Sequence, residues 1–478
     1  MIWSQMFRVR VLHSVILALA ACAVFDAGRA RAQDSTLTVD PMWTSGPANR
    51  TYSVALGDVD GDGDLDLVCG NYNQGNTLYR NTGGTFSAVP DWTSGPANYT
   101  YSVALGDVDG DGDLDLFCGN YNQGNTLYRN TGGTFSAVPD WTSGPANGTG
   151  SVTLGDVDGD GDLDLVCGNF QGNTLYRNTG GAFSAVPDWT SGPVNDTHSV
   201  ALGDVDGDGN PNLVCGNFQG NTLYRNTGGT FLGQPDWTSA QANWTFSVAL
   251  GDVDGDGDLD LVCGNFQGNT LYRNMWGTFL GHPDWTGLAN GTQSVALGDV
   301  DGDGDLDLVC GSYGQGNTLF GNTGGTFSGQ PDWTSGPVND THSVALGDVD
   351  GDGDLDVVCG NDSQGNTLYR NTGGAFATAT GPQASRNTLA QNYPNPFNPS
   401  TTIRFSLRGK SPVTLKIYDA RGRLVRTLVR GDVRVAGVTH TLQWDGRNNA
   451  GQVVSSGMYF YRLNAKHFTR TRKMVLLK

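Results

Sequence analysis

The run Asp58-Val59-Asp60-Gly61-Asp62-Gly63-Asp64-Leu65-Asp66 decides how the rest of the chain is read. It recurs from Asp107, Asp156, Asp204, Asp252, Asp299 and Asp348, at intervals of 49, 49, 48, 48, 47 and 49 residues. A fixed period of this size marks one supersecondary unit copied in series.

The chemistry of the run is that of a hard-cation loop. Carboxylates at positions 1, 3 and 5 converge only if the backbone curls tightly, which Gly61 and Gly63 permit. Position 7 offers its backbone carbonyl and position 9 a further carboxylate. The candidate ligands are Asp58, Asp60, Asp62, Asp64 and Asp66, then Asp107, Asp109, Asp111, Asp113 and Asp115, then Asp156, Asp158, Asp160, Asp162 and Asp164. The fourth copy supplies Asp204, Asp206 and Asp208. The last three supply Asp252, Asp254, Asp256, Asp258 and Asp260; Asp299, Asp301, Asp303, Asp305 and Asp307; and Asp348, Asp350, Asp352, Asp354 and Asp356. Every donor is oxygen, with no His or Cys among them, which suits calcium rather than zinc or copper. Five acids in nine residues repel one another unless a cation sits among them, so six or seven structural Ca2+ ions are expected. The fourth copy reads Asn210-Pro211-Asn212 where the others carry Asp-Leu-Asp, and its site is expected to be weak or empty. An EF-hand is excluded. It needs a bidentate Glu at position 12 and flanking helices, whereas position 12 is Cys69, the chain holds no Glu, and both flanks read as short strands.

Composition agrees with an all-β repeat protein. The 478 residues include 71 Gly, and only 16% are charged. The net charge of −20 is unevenly spread. Residues 34–386 carry 44 Asp against 8 Arg and no Lys, while residues 387–478 carry 16 Lys and Arg against 3 Asp. The acidic part argues against a nucleic-acid partner, and the basic part reads as a solvated face of alternating strands. Seven cysteines, Cys69, Cys118, Cys167, Cys215, Cys263, Cys310 and Cys359, fall one per repeat at the same place. An odd set of equivalent positions is no disulfide framework; they read as small core side chains.

Taken in order, residues 1–32 read as an export signal. Arg8 and Arg10 precede an apolar run, and Ala30-Arg31-Ala32 supplies a cleavage site. Leu19-Ala20-Ala21-Cys22 is the competing reading, a lipidation site at Cys22. No transmembrane segment is expected. From 36 to 380 the repeat dominates, each copy reading as four strands: Ser53 to Gly57, Leu65 to Gly70, Asn76 to Arg80 and Thr85 to Trp92 in the first. Four short strands per unit make one propeller blade. The last copy lacks the Asp-Trp-Thr-Ser that ends the other fourth strands, and Thr36 to Ser45 supplies the equivalent piece at the other end. A seven-bladed β-propeller closed by this first strand is predicted. Residues 381–392 read as a linker. Residues 393–478 read as a small antiparallel β-sandwich with strands Thr402 to Leu407, Val413 to Tyr418, Leu424 to Val429, Thr439 to Trp444 and Met458 to Leu463.

The pattern Val54-Ala55-Leu56-Gly57-Asp58 through Val68 resembles the FG-GAP/VCBS repeat of integrin α-subunit propellers. The resemblance implies calcium in the loop between strands one and two. The C-terminal segment resembles the sorting domain of type IX secretion substrates, akin to the immunoglobulin-like domain of flagellar hook-capping proteins. Tyr393-Pro394-Asn395-Pro396-Phe397, Trp444-Asp445-Gly446, Gly457 to Tyr461 and the ending Lys473 to Lys478 carry that match. It implies export by the type IX machinery to the outside of a bacterial cell, with release or surface attachment.

Differences between the copies locate a candidate binding rim. Each joint from strand four to the next strand one reads Asn-x-Thr-y-Ser, with x/y pairs Arg50/Tyr52, Tyr99/Tyr101, Gly148/Gly150, Asp196/His198, Trp244/Phe246, Gly291/Gln293 and Asp340/His342. The loop between strands two and three also varies and lies on the same face, opposite the acidic loops. Arg50, Tyr52, Tyr99, Tyr101, His198, Trp244, Phe246, Gln293 and His342 are therefore the candidate ligand residues, with rings for stacking and polar groups for hydroxyls. The competing reading is that free loops simply vary. Three function classes remain: a secreted or surface monomer recognising glycan or extracellular protein; a structural surface protein without ligand; and a polysaccharide lyase. The lyase is disfavoured because the repeats hold no Lys or Glu, and the Asp196/His198 and Asp340/His342 pairs lie three units apart and read as solvated.

Overall fold

The computed structural model describes residues 37–372, apart from 145–147, 193–194, 242, 276 and 289, and most of residues 388–476. The expected signal, its Cys22 alternative, the end of the last repeat at 375–380 and most of the 381–392 linker lie outside the described residues. The described residues form strands and turns without a helix. Among them, no helix is long and apolar enough to cross a membrane.

Each repeat is an antiparallel four-stranded sheet. In the first copy, Thr51–Gly57 pairs with Asp66–Gln74, which pairs with Thr77–Tyr79, which pairs with Trp92–Thr93. The second strand is buried from Asp66 to Asn71 on both faces, because successive sheets pack against each side of it. One core joins Val59, Val68 and Leu78 of the first copy to Val103, Leu116, Cys118 and Tyr128 of the second. Full burial contributes roughly 1.5–3 kcal/mol for each large aliphatic side chain. The fourth strand is shorter than the expected Thr85 to Trp92. Pro90 has no N–H to give, and the Ser87 hydroxyl donates to the Val89 carbonyl, so the segment between Phe86 and Asp91 loops away. Before it, Asn81 bridges Phe86 around Gly83 and Gly84, whose φ angles of 61° and 85° are those of a tight hairpin turn.

The copies close on themselves. Trp43–Thr44 pairs with Thr367 and Leu368, so the first strand serves as the last sheet's fourth strand, as the displaced sequence predicts. Trp43, Val54 and Leu67 share a core with Val349, Val358 and Leu368. Two circuits of hydrogen bonds run through all the copies. The Val103 N–H donates to the Ser53 hydroxyl of the preceding copy, and the same bond recurs until Val54 donates to Ser343. The Asn76 amide donates to the Cys118 thiol at 3.1 Å, and the circuit ends with Asn366 donating to Cys69. The cysteines are thus buried and unbridged, as expected, but they also accept a bond. Burial pushes the Cys69 thiol up to about 12, so it stays protonated.

The C-terminal segment forms two sheets around one core. Thr388–Leu389, Thr401–Ser406 and Thr439–Trp444 make the first. Leu424–Arg434, Ser411–Asp419, Gly457–Ala465 and Phe468–Leu476 make the second, in that spatial order. Trp444, Phe405, Ile417, Tyr461 and Met474 are fully buried between them. The strand Phe468–Leu476 was not among those read from the sequence, because Arg470, Arg472 and Lys473 break its apolar alternation.

Candidate functional site

The acidic loop follows strand one, and its curl is set by Gly61 and Gly63 at φ 76° and 96°. The Asp58 carboxylate accepts the N–H groups of both glycines, at 2.8 and 3.0 Å, which fixes position 1 at the mouth of the curl. Carboxylate oxygens of positions 1, 3 and 5 or of 1, 3 and 9 gather within 4.8 Å of one another, as at Asp58, Asp60 and Asp62 or at Asp107, Asp109 and Asp115. Asp66 at position 9 is fully buried. Its two oxygens accept the N–H groups of Val59 and Asn81 at 3.1 and 2.8 Å. Burial pushes it up to about 6, against those two bonds. Asp260 and Asp307 rise further, to about 7 and 8.

Donor chemistry and satisfaction both fit a hard cation. Buried oxygens of Asp60, Asp109, Asp158, Asp206 and Asp350 at position 3, and of Asp204, Asp252, Asp299 and Asp348 at position 1, have no hydrogen-bond partner. Orphaned buried carboxylate oxygens are costly unless a cation takes them. In four loops the position-7 side chain turns away from the cluster. Asp64, Asp113, Asp162 and Asp305 each turn to accept the N–H of a glycine in the turn between strands three and four, leaving only the backbone carbonyl for an ion. In the fourth loop Asn212 accepts the Val205 N–H, but its buried amide nitrogen has no partner.

At the opposite ends of the same strands the rim residues meet in a chain of aromatic contacts. Tyr52 stacks on His342 at 4.2 Å and on Tyr72 at 5.2 Å, and Tyr101 meets Tyr52 edge-on at 5.0 Å. Tyr99 stacks on Tyr72. Arg50 lies over Tyr72 at 4.4 Å and pairs with Asp362 at 2.9 Å. The chain continues through Tyr121 and Phe170 to His198, which stacks on Phe218 at 4.0 Å. Phe246 and Trp244 then pack on Phe218, and Trp244 leads to Phe266. At the other end Tyr313 meets His342. Gln293 is half-buried and stands where the ring contacts stop.

Two expectations need correction here. His198 and His342 are not solvated partners of Asp196 and Asp340. They are stacked and half-buried, and burial lowers both, His198 to about 4. The basic C-terminal segment is not wholly a solvated face. Arg470 donates to the Gly255 carbonyl, and Arg472 lies 3.8 Å from Asp252, both in the fifth acidic loop.

The FG-GAP-like repeat model matches six overlapping spans, 58–118, 107–167, 156–215, 204–263, 252–310 and 299–359, which together cover more than half of the chain. The chain belongs to the FG-GAP-like repeat family. The FlgD Ig-like domain model matches residues 397–467, in line with the hook-capping resemblance. No match was found among curated protein sequences. Among solved structures, a chain from crystals of BBS1N in complex with ARL6DN is similar at 11% identity and TM-score 0.53, over 71% of this chain and 98% of that one. A structure of an Agrocybe aegerita lectin recognising non-reducing terminal N-acetylglucosamine gives 23% identity and TM-score 0.39, over 59% and 79%. The repeat match and the first of these two likenesses show a propeller-like fold.

Two groups of residues within these FG-GAP-like repeats were not among the sequence candidates. The strand-three arginine pairs with the position-3 carboxylate of its own loop, Arg80 with Asp60 at 3.2 Å, and donates to the turn carbonyl of the next copy, Gly133. Arg129, Arg177, Arg225, Arg273 and Arg370 repeat the clamp, but the sixth copy has Gly321 there. The signal was legible: these are six of the eight arginines of residues 34–386. The second group is the aromatic at the end of strand two, from Tyr72 to Tyr313; its variable loop was placed on the rim from the sequence, but the ring itself was not named a ligand candidate, and it alternates with the x/y pairs around the rim.

Proposed function

We propose that this chain is a secreted or cell-surface, non-catalytic recognition module: a closed seven-bladed propeller with structural calcium in six or seven acidic loops, followed by a sandwich-type sorting domain. Its ligand is a glycan or an extracellular protein, bound by the rim opposite the calcium loops. The observation that carries this reading is the chain of ring contacts from Tyr313 through Tyr52 to Phe266, which gathers the variable side chains on one face. Rigid aromatic surface beside amide and charged groups supplies contact area at low entropic cost.

The rest of the reading follows the sequence. Residues 1–32 direct export, with lipidation at Cys22 the lesser alternative, and 393–478 engage the type IX machinery. The propeller acts as a monomer without nucleic acid. A lyase needs a converging acid and base; His198 and His342 instead spend their rings on stacking. The test is a glycan and matrix-protein array probed with the calcium-loaded protein and with an Arg50→Ser/Tyr52→Ser/Trp244→Gly/Phe246→Ser variant. Binding lost in the variant supports recognition at the rim. A folded protein that binds nothing returns the chain to a structural surface role.

A further inference from the structure

Most rim aromatics are half-buried against one another; three are not. Trp244, Phe266 and Tyr313 are 52%, 47% and 50% exposed, and they flank the single interruption in the chain of ring contacts. Gly291 sits in that interruption. A Cβ there would meet the Phe266 ring at 3.9 Å and the Tyr313 carbonyl at 3.7 Å, ordinary contact distances, so Gly291 leaves a narrow cleft about one side chain wide between the two. Gln293 lies two residues on, and Asp340 is the register partner of Tyr313.

Trp244 is held at a backbone cost. Its φ is 51°, in the left-handed region that bulky side chains rarely adopt. The same joint position is Gly148 and Gly291 in two other copies, at 66° and 58°. A strained, exposed indole against the Phe266 ring that borders this cleft is the mark of a residue kept for contact rather than packing.

We propose that Trp244, Phe266, Gly291, Gln293 and Tyr313 form a saccharide subsite that takes one neutral pyranose unit, whose C–H face completes the broken aromatic arc. The proposal rests on the recognition reading above and commits it to glycan. The rings supply the apolar platform, while the Gln293 amide brings a donor and an acceptor for hydroxyls. The excess of Asp over Arg in residues 34–386 disfavours an anionic sugar. A protein partner would need a far wider apolar surface than one cleft.

The experiment is ligand-observed NMR of the full calcium-loaded chain with methyl β-D-glucopyranoside, methyl β-D-galactopyranoside, N-acetylglucosamine and, as the anionic comparison, N-acetylneuraminic acid. Trp244→Gly removes the indole and relieves the backbone. Gly291→Asn fills the cleft with a residue that tolerates positive φ and removes no ring. Val138→Ser, at an exposed site away from the rim, is the control. Expected is saturation transfer from a neutral pyranoside, weakened about tenfold or more by each rim variant and unchanged by the control. Neutral probes that bind equally well to both rim variants overturn this subsite and leave recognition elsewhere on the rim standing. Binding on the array confined to proteins, with no transfer to any sugar, overturns the glycan assignment alone. Silence in both experiments overturns the subsite and the recognition reading together.

Discussion

His198 shows what one side chain can cost when it is buried for its shape. Its ring lies flat on Phe218 and edge-on to Phe170 and Phe246, and that desolvation holds it neutral down to about pH 4. The unfolded chain protonates it near 6.5. Above that pH both states are neutral and the group contributes nothing to pH dependence. As pH falls from 6.5 towards 4 the unfolded state alone takes the proton, so stability is lost over that window, by as much as about 3 kcal/mol. His198→Phe keeps the stack and removes the titration. Its melting temperature is expected to match the parent at pH 7.5 and to exceed it at pH 5. Parallel melting curves of the two proteins across that range would show that the imidazole reaches solvent in the fold. The sequence showed this histidine only as a member of a variable joint. Its burial depends on Phe170, Phe218 and Phe246 from three separate places in the chain, and no local pattern reveals that.

At the level of the element, the acidic loop and the strand-three arginine are one device. Arg80 neutralises Asp60 and at the same time ties the loop to the turn of the next copy. The sixth loop has no such arginine, and Asp301 is the largest contributor after burial to the rise of Asp307 to about 8. Chelation of calcium is therefore expected to lower the melting temperature sharply, with the sixth loop the least able to bear its own charge. Gly321→Arg restores the clamp in a backbone already shaped for it, since the Gly321 N–H donates to Asp332 as the Arg80 N–H donates to Asp91. A part-exposed pair of this kind adds about 0.5–1 kcal/mol. The gain is expected in chelator and should shrink in calcium, where a bound ion would already neutralise Asp301. Scanning calorimetry with and without chelator reads both, and an equal gain in the two buffers would separate the arginine from the ion. The loop was legible in nine residues because its clustered carboxylates are local. The clamp joins residues 20 positions apart with a third partner 53 away, and only the fixed recurrence of Arg hinted at it.

For the whole molecule, closure is the property on which the rest depends. The sequence announced it through a missing piece, since the last repeat lacks the Asp-Trp-Thr-Ser that ends the other fourth strands and Thr36 to Ser45 supplies its equivalent. The structure adds the energetics. Trp43 packs edge-on against Tyr79 and Phe86 of the first copy while its strand pairs with the last, so it stitches both ends of the ring into one core. The Ser45 hydroxyl accepts the Asn366 N–H at 2.9 Å, and Gly336 donates to the Val39 carbonyl. Deleting residues 34–46 would expose the Thr367–Tyr369 edge and remove Leu37 and Trp43 from two cores. An open edge of this kind invites pairing with another chain. Trp43→Ala alone is expected to cost about 3–5 kcal/mol, as for other buried aromatics, without opening the edge. The deletion should cost more, and should convert a monodisperse protein into a concentration-dependent oligomer. Light scattering beside thermal melting distinguishes the two effects. Were the deleted protein to remain monomeric and melt with the parent, the strand would be a passive cover, and the circuits through Ser343 and Cys69 would hold the ring closed by themselves.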